Sequence, residues 1–337
     1  MSLRALHPRF LLVALAFYIV LGGALLRAWP GDDFEAAERL FRQGEYARAE
    51  ALFAKIQPGE PSYPQALLRL GTIYYATGRP ELAEQALTEC LRRKQSAEAY
   101  RLLAGAQFNL KKFPQAYESA RSALRLDPHY AKAHTMLGMI YTATNDWPDA
   151  KASYEQALRL NPRDADTWYM LGRANFIRDD FARSREAFET ALRLDPQQVR
   201  IYENLGLTLD LLNDPGEAEK VFQEGARVNQ RQKHPDPHLY ISYGTFLAKA
   251  NRDEEGLTQF REAVLVAPQD PDALFELANQ LARMKRWEEA AAEGELAARA
   301  DSRNPRSQSL LARVYTALGK PALAAQHAHE AARLLGE

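Results

Sequence analysis

The sequence predicts an all-α fold of helix hairpins stacked one on the next, preceded by one membrane-spanning helix. Three observations predict it. From Pro30 to Glu337 one pattern recurs about every 34 residues, one slot of that pattern holds Gly or Ala in every copy, and a charge-free apolar run stands ahead of the first copy.

The apolar run is Phe10 to Leu26, seventeen residues without a charge, with Arg4, His7 and Arg9 before it and Arg27 and Trp29 after it. That length is at the short end for a helix crossing a bilayer. Two arginines and the amino terminus on the near side outweigh Arg27 on the far side. This predicts a single-pass anchor in the inner (cytoplasmic) membrane, N-terminus cytoplasmic and repeats periplasmic or otherwise extracytoplasmic. The same layout suits a cleaved signal peptide, with Phe10 to Leu21 as apolar core and Gly22 and Ala24 as small residues before the cut. Both readings export the repeats, and the run continuing through Leu25 and Leu26 favours the anchor.

The clearest repeat reads Leu137, Gly138, Tyr141, Asn145, Trp147, Ala150, Tyr154, Ala157, Pro162, and the next answers with Trp168, Leu171, Gly172, Asn175, Asp179, Phe181, Ser184, Phe188, Ala191, Pro196. Leu137, Gly138 and Tyr141 share one face of a first helix, A, while Ala150, Tyr154 and Ala157 share one face of a second, B. Small residues let the helix axes approach, large ones fill the space beside them, and Pro after helix B ends it. Asn145, or Gly78 in an earlier copy, suits a left-handed turn between A and B. Nine units follow, starting at Pro30, Pro64, Ala97, Ala131, Ala165, Val199, Pro237, Pro271 and Pro305. Their small-residue slot reads Ala37, Gly71, Ala104, Gly138, Gly172, Gly206, Gly244, Ala278 and Ala312. The outer units are weaker matches: the eighth and ninth replace the large helix B residue with Gly294 and Ala328.

On these residues the chain resembles the tetratricopeptide repeat family. The resemblance implies a right-handed superhelix of helix-turn-helix units that binds other proteins and rarely does chemistry. It covers about nine tenths of the chain: repeats 1–6 over 30–232, an inserted turn at 233–236 bracketed by Pro235 and Pro237, and repeats 7–9 over 237–337, after the anchor segment 1–29. In this family the A-helix residues not used in packing line a concave groove. Read in that register, the lining here includes Arg69, Tyr75, Arg101, Phe108, Lys132, Met136, Met139, Tyr169, Met170, Arg173 and Phe176. An aromatic, Met-rich and basic set suits an amphipathic helix or extended peptide with apolar anchors and some acidic residues. Relatives that clamp a chaperone's C-terminal carboxylate use a Lys, Asn and Arg set, which Leu68 with Thr72, Arg101 with Gly105 and Tyr169 with Arg173 do not reproduce.

Little else in the sequence carries chemistry. Residues 1–29 hold three of the 43 basic residues and none of the 44 acidic ones, leaving the repeats 40 basic against 44 acidic, a net charge of −4 and no basic excess for nucleic acid. The single Cys90 occupies a small-residue slot of helix B, where later repeats have Ala123, Ala157 and Ala191, which reads as packing and excludes an internal disulfide. His327 and His329 stand two apart and point to different faces, and His234 and His238 bracket a stiff Pro-Asp-Pro turn, so neither pair reads as a metal site. Neither a cofactor, a metal nor an enzymatic activity is expected.

Two functional readings follow. The first is a membrane-tethered scaffold whose groove recruits peptide or helical segments of partner proteins in bacterial envelope assembly. The second is an accessory or regulatory subunit of a membrane enzyme. If the anchor is cleaved, the first becomes a soluble exported adaptor. Leu323, Leu334 and Leu335 in the last unit are expected to form an apolar edge for a partner or for self-association.

Overall fold

The computed structural model describes residues 32–336, and among these it contains eighteen α-helices and no strands. Phe10 to Leu26 lies outside the described residues. Within them no helix is long and apolar enough to cross a membrane.

The helices pair into hairpins within two units. The unit ending at Leu160 holds four: α1 (Asp32–Arg42) with α2 (Tyr46–Phe53), α3 (Tyr63–Ala76) with α4 (Pro80–Arg93), α5 (Ala97–Asn109) with α6 (Phe113–Leu126), and α7 (Ala131–Ala143) with α8 (Trp147–Leu160). The unit starting at Asn161 holds five: α9 (Ala165–Ile177) with α10 (Phe181–Leu194), α11 (Val199–Leu211) with α12 (Pro215–Gln230), α13 (Pro237–Lys249) with α14 (Asp253–Val266), α15 (Pro271–Arg283) with α16 (Trp287–Ala300), and α17 (Pro305–Ala317) with α18 (Pro321–Leu335). The A helices of repeats three to nine therefore begin where the period places them. In the second repeat the helix starts one residue earlier, at Tyr63, because Pro64 is tolerated in a first helical turn.

Every A-to-B turn is closed the same way. Its middle residue has positive φ, at Gly44, Gly78, Lys111, Asn145, Asp179, Asn213, Asn251, Lys285 and Gly319. The next amide reaches back to a carbonyl five residues upstream, as Asp146 N does to Tyr141 O at 2.8 Å and Arg286 N to Leu281 O at 2.9 Å. This Schellman geometry satisfies carbonyls that the end of helix A would otherwise leave unpaired.

Inside a hairpin, the glycine slot of helix A receives a large side chain from helix B. A Cβ on Gly71 would stand 2.5 Å from Leu87, on Gly172 2.7 Å from Phe188, on Gly206 2.6 Å from Phe222 and on Gly244 2.8 Å from Phe260. Where the large residue is missing the slot is alanine: Ala104 and Ala120 are both fully buried, and Ala278 accompanies Gly294. The first hairpin departs from this exchange of volume, holding both Ala37 and the large Phe53 in one buried cluster.

The residues before Pro237 are clasped. α12 has 16 residues, and near its end the fully buried Asn229 donates from Nδ2 to Asp236 O and accepts at Oδ1 from Asp236 N, both at 2.7 Å. Asp236 in turn accepts from His238 N at 2.9 Å and so caps α13.

Candidate binding groove

A helices pack beside A helices: α3 on α5 and α5 on α7 in the first unit, and α9, α11, α13, α15 and α17 in succession in the second. Their faces not buried against B helices form one strip in each unit, and of the eleven residues singled out in the sequence all but Met136 and Tyr169 keep some exposure there.

In the first unit Arg69 is not free: its Nε donates to the buried carboxylate of Glu38, and its guanidinium lies 5.1 Å from the Phe41 ring. Tyr75 is half-buried because its ring covers Gly105, where a Cβ would stand 2.7 Å away. Phe108 packs edge-on to Phe113 at 5.6 Å. Arg101 and Met139 are partly exposed and Lys132 is exposed. Met136 corrects the sequence reading, since it lies in the core with Ala104, Ala116 and Ala120. The two small residues of α6 leave room there that Met136 fills.

In the second unit Tyr169 is likewise a core residue, packed on Phe188 at 5.7 Å, and burial pushes its phenol pKa up. Arg200 lies over its ring at 4.5 Å while donating to Asp166 Oδ1 at 2.6 Å. Met170 and Phe176 are half-buried, Phe176 packing edge-on to Phe181 at 5.6 Å, and Arg173 is exposed. The strip continues through cross-repeat contacts of Lys249 with Asp210 (3.4 Å), Arg306 with Glu276 (2.9 Å) and Arg313 with Asn279 (3.1 Å). Glu203 accepts from Ser242 at 2.9 Å, and burial raises its carboxyl pKa above the usual range, with Asp236 adding and His238 and Arg173 opposing. A cavity of about 340 Å³ lies among Phe275, Asn279, Arg306, Ser309, Arg313 and Leu335.

Two residues absent from the sequence-derived set are the more telling. Ile177 is 55% and Leu211 51% exposed, at the same position of successive A helices. Their spacing of one repeat was the signal available in the sequence.

The remaining candidates are structural. Cys90 is buried, its Sγ donates to Pro64 O at 3.2 Å, and burial pushes the thiol up to about 11. His327 is buried between Gln308 Oε1 (2.7 Å from Nδ1) and Glu295 Oε1 (3.3 Å from Nε2), stacked on Tyr315, whereas His234, His238 and His329 are exposed. Among the described residues no group of three His, Cys, Asp or Glu could hold a metal ion.

The sequence family described as the C-terminal domain of cilia and flagella-associated protein 70, a tetratricopeptide-type domain, matches residues 22–237, more than half of the chain. The chain belongs to this tetratricopeptide family. The middle tetratricopeptide-like domain of the same protein matches residues 202–335. No curated protein matches the chain in sequence. Among solved structures, yeast Tom70 superposes with a TM-score of 0.58 at 16% identity over 92% of this chain and 86% of its own. Pseudomonas aeruginosa PilF does so with 0.53 at 21% over 64% and 97%. A tetratricopeptide protein from Parabacteroides merdae gives 0.58 at 16% over 75% and 98%. These likenesses establish the fold, an all-α helical-repeat solenoid. Tetratricopeptide proteins are generally non-catalytic scaffolds.

Proposed function

We propose that this tetratricopeptide chain is a non-catalytic scaffold that binds peptide or helical segments of partner proteins along its A-helix strip. Tethered through Phe10 to Leu26, it presents its repeats to the periplasm, in bacterial envelope assembly. The observation that carries the binding reading is the pair Ile177 and Leu211, large apolar side chains left half in water one repeat apart while the core around them is filled. A soluble surface gains nothing from such a pair, whereas a partner segment laid across successive A helices buries both. The tether rests on the seventeen-residue charge-free run and its flanking arginines.

Two measurements test these parts. In the full chain, Ile177→Asp with Leu211→Asp abolishes co-purification of proteins that accompany the wild type, while Leu265→Asp, 71% exposed on helix B of its hairpin, preserves it. Equal recovery by all three sinks the groove. A reporter active only outside the cytoplasm, fused after Glu337, is active on a chain whose N-terminus has its full mass. An inactive reporter overturns the orientation, and a shortened N-terminus overturns the tether.

A further inference from the structure

The cations on the A-helix strip are not alike. Arg69, Arg200, Lys249, Arg306 and Arg313 each have a carboxylate or amide partner from a neighbouring repeat. Arg101, on α5, has none among the described residues, and its Nε is buried with no hydrogen-bond acceptor. Lys132, on α7, has no ion pair among the described residues either, and α5 packs directly on α7. A gap of 31 residues brings Arg200 over the Tyr169 ring at 4.5 Å and Arg306 over the Phe275 ring at 4.2 Å. The same 31 residues separate Lys132 from Arg101, so the place that holds a cation on a ring elsewhere here holds two cations.

We infer that Arg101 and Lys132 form a receptor for a carboxylate of an acidic partner segment, with half-buried Phe108 and Met139 nearby on the same two helices taking an apolar neighbour of that carboxylate. The buried Nε fixes the Arg101 side chain in place without pairing its charge, so a carboxylate that meets the outer guanidinium nitrogens finds a positioned and uncompensated cation. The chain's own leading segment cannot supply that anion, because residues 1–31 contain arginines and no Asp or Glu. Charge complementarity therefore selects a separate, acidic segment. This rests on the groove reading above and narrows it to one repeat pair and one chemistry.

The test uses the full chain and two short labelled peptides, one alternating Glu with Leu and Phe, the other with Gln in place of Glu, followed by fluorescence anisotropy. The Glu peptide binds about tenfold or more tightly than the Gln peptide and weakens with added salt. Arg101→Met and Lys132→Gln each remove most of that difference. Arg101→Met also melts at or above the wild-type temperature, since it removes an unsatisfied buried donor; a residue serving only structure would lower the melting point on replacement. Equal binding of the two peptides overturns the carboxylate receptor and leaves the groove standing. Failure of both peptides to bind overturns both. Inorganic phosphate alone binding as tightly as the Glu peptide replaces the acidic segment with a plain anion site, and a lowered melting point with unchanged peptide binding returns Arg101 to the fold.

Discussion

The Tyr154 ring packs against Gly138, so close that a Cβ on Gly138 would stand 2.6 Å from Tyr154 Cε1. Tyr154 is fully buried. Gly138→Ala gains roughly 0.5–1 kcal/mol of helix propensity but forces the ring off its rotamer, at a cost of about 1–3 kcal/mol. The clash wins, and denaturant melts should show net destabilisation. In the Tyr154→Ala background the same substitution becomes neutral or favourable, because Ala104 with Ala120 already fills the equivalent space in the preceding hairpin. Additive losses in the double mutant would contradict this packing.

Lys285 adopts φ +60° at its turn, exposed and, among the described residues, without an ion pair. A left-handed non-glycine residue costs about 1–2 kcal/mol, and glycine's extra freedom in the unfolded chain costs roughly 0.5–1 kcal/mol. Lys285→Gly should therefore stabilise by about 0.5–1 kcal/mol in urea titration, as should Lys111→Gly at φ +59°. Gly78 shows that the turn accepts the residue.

Asn229 holds both backbone groups of Asp236 through its single amide. Asn229→Ala strands those groups in a buried site and should cost about 2–4 kcal/mol, with faster amide exchange confined to residues 231–238. Exchange that speeds up evenly along the chain would argue against a local clasp.

Glu203 carries a carboxyl whose folded pKa lies above its unfolded value because it is buried. Its contribution to stability is full below the unfolded pKa, near 4.3, and is lost as pH rises through the folded one. Glu203→Gln keeps the acceptor for Ser242 and should raise the melting temperature at pH 7 and above. The gain disappears toward pH 3–4, and a gain independent of pH would rule the assignment out.

Cys90, with its thiol pushed up to about 11, holds little thiolate at pH 8. Its reaction with a thiol-specific disulfide reagent should run at least about 100-fold slower in the native protein than in denaturant. A fast native reaction would mean that helix α4 opens.

How much of this was legible depended on whether one repeat sufficed to decide it. The period located the helix starts from Ala97 onward, and the invariant small slot announced the close approach of A to B, because both facts are written inside each unit. Burial on the A-helix strip was not legible, since it depends on the neighbours. Met136 and Met170 share a register position, yet Met136 fills the gap beside Ala116 and Ala120 while Met170 stays half-exposed. Arg69 and Arg101 are both groove arginines, and only the first meets a carboxylate, from Glu38 in the preceding repeat. The left-handed Lys111 and Lys285 carry no residue signal, because the Schellman bonds and the packing of both helices impose the conformation there.

The contact of Gly138 with Tyr154, like those of Gly172 with Phe188 and Gly206 with Phe222, closes within one hairpin, and its two partners are always encoded within one stretch of chain. Recombination that duplicates or deletes a whole hairpin carries the knob and its socket together, whereas a crossover inside the A-to-B turn separates them. Gene rearrangement in such an array therefore keeps these contacts whole at the B-to-A boundaries, where only cross-repeat contacts such as Tyr75 on Gly105 are exchanged, and separates them at the A-to-B ones. A library of chimaeras cut at each kind of boundary should divide accordingly into folded and unfolded members.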